Sequence, residues 1–130
     1  MQSTDHSKTT ALITGGTQGL GLAVAHELVA AGCRKLILAG RSTEKGASAK
    51  AELEAKRAKV LFQSCDIAKA DACEALLETA HAEFGPINAL LNSAALTTRG
   101  SILDSSPELF DAHINTNLRA PFYLMQGVSN

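Results

Sequence analysis

Ala11-Leu12-Ile13-Thr14-Gly15-Gly16-Thr17-Gln18-Gly19-Leu20-Gly21 is the stretch whose reading decides the fold of this chain. A short apolar run ended by a glycine-rich turn reads as a buried strand, placed over Thr10 to Thr14. Behind the turn, Leu20, Val24 and Leu28 recur every four residues with Ala25 and Val29 beside them, which predicts a helix packed through that stripe and stopped at Gly32. A strand feeding a glycine turn that opens a helix brings main-chain N–H groups close enough to bind a diphosphate at the helix N-terminus. The glycines follow GxxxGxG spacing at Gly15, Gly19 and Gly21, and no lysine follows the last of them, so a phosphate loop for ATP hydrolysis is excluded.

Working outward, short apolar runs continue to alternate with helical stretches. Further strands are expected at Lys35 to Ala39, Val60 to Gln63 and Ala89 to Asn92. Helices are expected at Thr43 to Arg57, carrying an i,i+4 pair of Glu52 and Lys56, and at Asp71 to Phe84, packed through Ala72, Leu76, Ala80 and Phe84 with Cys73 in the core. Gly85-Pro86 ends that second helix. A polar loop, Thr97 to Ser105, leads to a last helix with Ser106 as N-cap, Pro107 in its first turn and Phe110, Ile114, Leu118, Phe122 and Met125 along one side. This alternation defines an α/β class: a Rossmann-like, doubly wound parallel sheet in one domain spanning residues 1–130. Right-handed crossovers give strand order 3-2-1-4, with a crevice at the switch between strands 1 and 4 where ligands bind.

Composition excludes several classes of function. With 45% hydrophobic residues in 130 and a formal net charge of -1, the chain can bury an ordinary core and carries no basic field for nucleic acid or anionic lipid. No run reaches membrane-spanning length and the polar residues Met1 to Lys8 lack a signal-peptide core, so the cytoplasm is the expected location. Cys33, Cys65 and Cys73 are odd in number without CxxC spacing and read as free thiols. His6, His26, His81 and His113 show no metal-ligand pairing, Glu52 and Glu54 read as solvation of a helix face, and no GxSxG turn is present. No metal site is expected.

The end of the second strand bears on the choice of nucleotide. An acidic residue about 20 residues beyond the glycine turn would accept the ribose hydroxyls of NAD. Here the chain reads Ala39-Gly40-Arg41-Ser42. No carboxylate repels a 2′-phosphate, and the Arg41 guanidinium can pair with one, so NADP is favoured over NAD. The alternative is that Arg41 merely starts the next helix.

In these features the chain resembles the N-terminal half of a short-chain dehydrogenase/reductase, from Lys8 to its end. Thr14 to Gly21 fits the family's TGxxxGxG turn, which marks Thr14, Gly15, Thr17, Gln18, Gly19, Leu20 and Gly21 as cofactor residues, with Arg41 and Ser42 beyond them. Asp66, followed by Ile67, matches the family's aspartate that meets the adenine amino group. Asn92-Ser93-Ala94-Ala95 stands where the family has NNAG, small residues remaining where the backbone passes close to ribose and nicotinamide. Asn117 matches the family's catalytic asparagine, whose main chain holds the water of a proton relay. Asn117 has a physical argument of its own: in an α-helix its carbonyl would accept from residue 121, and Pro121 has no N–H. A plain kink or helix boundary there is the alternative.

The resemblance implies an NADP-dependent oxidoreductase acting on a small carbonyl or alcohol. The family also uses a Ser, a Tyr and a Lys four residues after the Tyr to lower its pKa, since a free tyrosine near pKa ~10 is a poor acid-base group at neutral pH. The single tyrosine, Tyr123, is followed four residues later by Gly127, so no YxxxK exists. The 130 residues are therefore expected not to turn over, with later strands absent, an open apolar edge at Ala89-Leu90-Leu91 and self-association through the last helix. A stand-alone NADP(H)-binding or interaction module is the competing expectation.

Overall fold

The structure, a computed structural model, describes residues 4–130. Ten elements follow one another: β1 (Thr10–Thr14), α1 (Gly19–Ala30), β2 (Lys35–Gly40), α2 (Thr43–Glu54), β3 (Lys59–Ser64), α3 (Ala70–Phe84), β4 (Ala89–Asn92), α4 (Pro107–Ile114), a π-turn (Asn115–Arg119) and α5 (Ala120–Ser129). The four strands form one parallel sheet in the order β3-β2-β1-β4, as the crossover argument requires. Ile13 faces Leu38 of β2 on one side and Leu91 of β4 on the other.

Period-two alternation divides the core into two layers. Ala11 and Ile13 of β1 and Leu36 and Leu38 of β2 point to the face covered by α1 and α2, where Ala25, Val29, Ala49 and Leu53 meet them. Leu12, Ile37 and Ala39 point to the opposite face, under Leu76 and Ala80 of α3 and Ala120 and Leu124 of α5. Each fully buried Leu or Ile in these layers stabilises the fold by roughly 1.5–3 kcal/mol.

α1 packs through the Ala25 and Val29 side of the expected stripe, with Gly21 added to it and Leu20 left out. Gly21, Ala25 and Val29 are its buried residues, whereas Leu20 is 72% exposed and Val24 and Leu28 are half-buried. Small residues let the helix axis come close to the sheet, Leu22 and Leu28 pack at the margin of that layer, and Leu20 and Val24 are turned outward along a hollow on the helix's far side. α2 also ends sooner than expected, at Glu54. Arg57 takes φ 70°, a left-handed conformation that closes the helix end, and Ala58 N–H reaches back to Leu53 O at 3.4 Å. The Glu52–Lys56 pair is replaced by a bridge to α1: His26 Nε2 lies 3.0 Å from Glu52 Oε2, and Lys56 Nζ lies 2.8 Å from His26 Nδ1. α3 is centred on Cys73, Leu76 and Ala80. In α4, Ser106 Oγ accepts from Leu109 N–H and Pro107 opens the first turn, as the sequence predicts. Phe110, Leu118, Phe122 and Met125 are exposed, leaving Ala120 and Leu124 to seat the last helix.

Asn88, which sequence reasoning passed over, stitches the start of β1 to β4. Its Oδ1 accepts from Thr10 N–H at 2.8 Å, its Nδ2 donates to Lys8 O at 2.9 Å, and its own N–H donates to Thr10 O. Thr10 is buried, so removing the acceptor strands a donor away from water. Asn88→Ala is expected to lower unfolding stability by about 1–2 kcal/mol, and Asn88→Asp, which keeps the acceptor, by less. Urea denaturation of the three chains checks the order, and equal stability of all three would refute it.

Candidate nucleotide-binding cleft

The tips of all four strands open on one cleft of about 760 Å³. Its floor is the glycine turn. Gly15 sits at φ 65° with its N–H on Ala39 O at 2.9 Å, and a Cβ there would lie 2.8 Å from Ala94 N. The turn therefore lies directly against the main chain at the tip of β4. Thr14 reinforces that contact: it is buried, and its Oγ1 accepts from Ala94 N–H at 3.3 Å. Gly21 seats the helix on the turn, since a Cβ would lie 2.2 Å from Gly15 O. At Gly19, φ is 54° and nothing lies within 4 Å of where a Cβ would stand. Glycine is required there by backbone shape, and the space above it is open to a ligand.

α1 begins at Gly19, after Gln18 in extended conformation with no side-chain cap and no acidic residue in the first turn. The leading N–H groups of a helix have no partner within it and carry the positive end of its dipole. An anion is the complement of such a surface.

The cleft walls gather most of the residues expected from sequence. Gly15, Thr17, Gln18, Gly19 and Leu20 line it from the turn, Arg41 and Ser42 from the end of β2, Asp66 and Ile67 from the end of β3, and Ser93, Ala94 and Ala95 from the end of β4. Thr14, Gly21, Asn92 and Asn117 are not among its lining residues. The first two support the turn from behind. Asn117 clips a wall in place, its Oδ1 accepting from Leu96 N–H at 2.8 Å and its Nδ2 donating to Leu96 O at 2.9 Å. The expected disturbance around Pro121 is real and takes the form of the π-turn, in which Ala120 N–H donates to Asn115 O five residues back.

Lys45 lines the cleft as well and was not foreseen. It lies in the first turn of α2, with Nζ 2.6 Å from Gln18 Oε1 across the mouth, so two cations, Arg41 and Lys45, stand on the same rim. Ser42 caps α2, accepting from Lys45 N–H at 3.2 Å. Asp66 Oδ1 accepts from Ala68 N–H at 3.0 Å, forming a tight turn after β3.

Cys65 also reaches the cleft, but burial, with the nearby Cys73 and Asp66 adding to it, pushes its thiol up to about 11. At neutral pH it is protonated and a poor nucleophile. All three cysteines are free. Tyr123 is on α5, stacked edge-on to Phe122 and lining a separate hollow beside α3. Among the described residues no group of three His, Cys, Asp or Glu side chains is placed to hold a metal, and no helix is long and apolar enough to cross a membrane.

Comparison with known proteins agrees with this geometry. The profile of the family described as short chain dehydrogenase matches residues 9–130. Similar relatives include the 2-dehydro-3-deoxy-D-gluconate 5-dehydrogenase of Formosa agariphila, 34% identical over 91% of this chain and 45% of that protein. The D-beta-hydroxybutyrate dehydrogenase of Cupriavidus necator is 33% identical over 88% of this chain and 44% of its own length. Among solved structures, L-sorbose reductase from Gluconobacter frateurii, complexed with NADPH and L-sorbose, superimposes with TM-score 0.88 at 25% identity, covering 93% of this chain and 46% of that one. A metagenomic short-chain oxidoreductase in complex with NADP gives 0.87 at 29% identity, covering 98% of this chain and 57% of that one. The chain belongs to the short-chain dehydrogenase family, a family of oxidoreductases. It spans under half the length of these curated relatives.

Proposed function

We propose that the cleft binds NADP(H), and that residues 1–130 form the dinucleotide-binding unit of an oxidoreductase that moves hydride between nicotinamide and a carbonyl or alcohol. The observation that carries the reading is the meeting, in one cleft, of an uncapped helix N-terminus with Arg41, Ser42 and Lys45, with no carboxylate at the end of β2. The glycine turn takes the diphosphate on the N–H groups of Gly19 and Leu20. Arg41 and Lys45, with the Ser42 hydroxyl, take the 2′-phosphate, and NAD, which lacks that phosphate, gains nothing from the charge on that rim. Asp66 and Ile67 face the adenine; Ser93, Ala94 and Ala95 leave room for ribose and nicotinamide. Several structural neighbours were crystallised with NADP or NADPH, which supports the same assignment.

The bound nicotinamide supplies the hydride chemistry. Asn117 is placed to order the β4 wall beside it through Leu96, and as the family's catalytic asparagine it holds the water of the proton relay. None of the groups lining the cleft is a Tyr–Lys pair, so the 130 residues bind without appreciable turnover. Apolar side chains of α4 and α5 offer a surface for self-association, and the cytoplasm is the location consistent with the cofactor.

Fluorescence titration tests the reading. The unaltered chain is expected to bind NADPH at least tenfold more tightly than NADH, and Arg41→Ala to lose about 10–100-fold for NADPH with little change for NADH, the scale of hydrogen bonds to a charged group. Equal affinity for the two nucleotides, or binding of neither, would overturn it.

A further inference from the structure

Two side chains of the π-turn reach opposite walls of the cleft. Asn117 holds Leu96 on the β4 side, while Arg119 Nη2 donates to Ala68 O at 2.5 Å on the β3 side. The Ala68 peptide neighbourhood is thus held from two directions, its N–H by Asp66 Oδ1 and its carbonyl by Arg119. Asp66 uses one carboxylate oxygen in that turn, and no donor among the described residues reaches the other, although Asp66 lines the cleft. An arginine that spans 51 residues of sequence to one carbonyl is not needed for the turn itself, which Lys69 N–H on Asp66 O already closes at 3.1 Å.

We propose that Arg119 is a positioning residue for purine selection: by fixing Ala68 it holds Asp66 so that its second carboxylate oxygen is presented to the cleft as a fixed acceptor. A purine with an exocyclic amino group then finds a partner, and one with a carbonyl at that place meets repulsion between two acceptors. The inference rests on the cleft being the NADP(H) site with Asp66 at its adenine end. It adds that the selectivity of that end is set from the π-turn, on an element that also orders the β4 wall.

The test compares NADPH with its reduced hypoxanthine analogue, titrated by fluorescence against the full chain. The unaltered protein is expected to favour the adenine form by roughly tenfold to a hundredfold. In Arg119→Ala that ratio falls to within about twofold, Arg119→Lys restores it, and the preference for NADPH over NADH, set by Arg41 on the other rim, is kept in both. General loosening of the fold would weaken both purines alike and leave the ratio standing. If the alanine chain does not melt cooperatively, Arg119→Gln is titrated in its place with the same expectation. Retention of the adenine preference without the arginine would overturn the inference, as would absence of any preference in the unaltered chain. Failure of the unaltered chain to bind either nucleotide would instead remove the proposed function beneath it.

Discussion

Replacing Gly21 by alanine is expected to abolish NADPH binding and to destabilise the fold together. A single added methyl would stand 2.2 Å from Gly15 O and 3.1 Å from Gly16 Cα. Both obstacles are backbone of the same tight turn, so no side chain can swing aside. Relief requires α1 to move away from the β1 tip, opening the layer in which Ala25 and Val29 lie under Ile13. Overpacking of this kind costs about 1–3 kcal/mol when neighbours adjust, and more against rigid main chain. A drop in Tm accompanied by undetectable nucleotide affinity is the expected result. An unchanged melting curve would show that the helix does not rest on the turn as described.

Gly19→Asp is expected to separate those two effects. Nothing lies within 4 Å of the new Cβ, so packing is undisturbed, and holding an L-residue at φ 54° costs roughly 1–2 kcal/mol, less for Asp than for most. The carboxylate, however, enters the space proposed for the diphosphate. At about 4 Å and an effective dielectric near 20, one pair of like charges repels by roughly 4 kcal/mol, about a thousandfold in affinity. Loss of NADPH binding in a chain that still melts cooperatively is the expected outcome. Binding within tenfold of the unaltered chain would place the diphosphate elsewhere.

How far these features could be read in advance differs from element to element. All four strands lie within a residue of where the apolar runs put them, because β1 and β2, buried on both faces, tolerate no polar interruption, and the ends of all four are marked by turns. The face of α1 was read correctly at Ala25 and Val29 but centred too far toward Leu20 and Val24, because hydrophobicity weighs these above Gly21, whereas close approach to a sheet selects for smallness. Pro121 announced a break in the helical ladder, but whether the chain would kink, stop or widen into a π-turn depends on what its side chains can reach. Arg119 and Asn117 reach loops about 51 and 21 positions away, and no local pattern encodes that. Within the cleft, the glycine turn and Arg41 were visible as motif and position. Lys45 was not, since in sequence it is one charge in an ordinary exposed helix and only the placement of α2 brings it to the rim.

The contact of Gly15 with Ala94 is main chain on main chain, with the Thr14 hydroxyl behind it. Nothing soft lies between the two halves of the crevice that could act as a hinge. Whatever adapts on ligand entry must therefore be the outlying side chains, the Lys45–Gln18 latch foremost. Arg41 and Lys45 lie on that rim outside the packed layers, which makes the rim of this protein open to redesign without touching its frame.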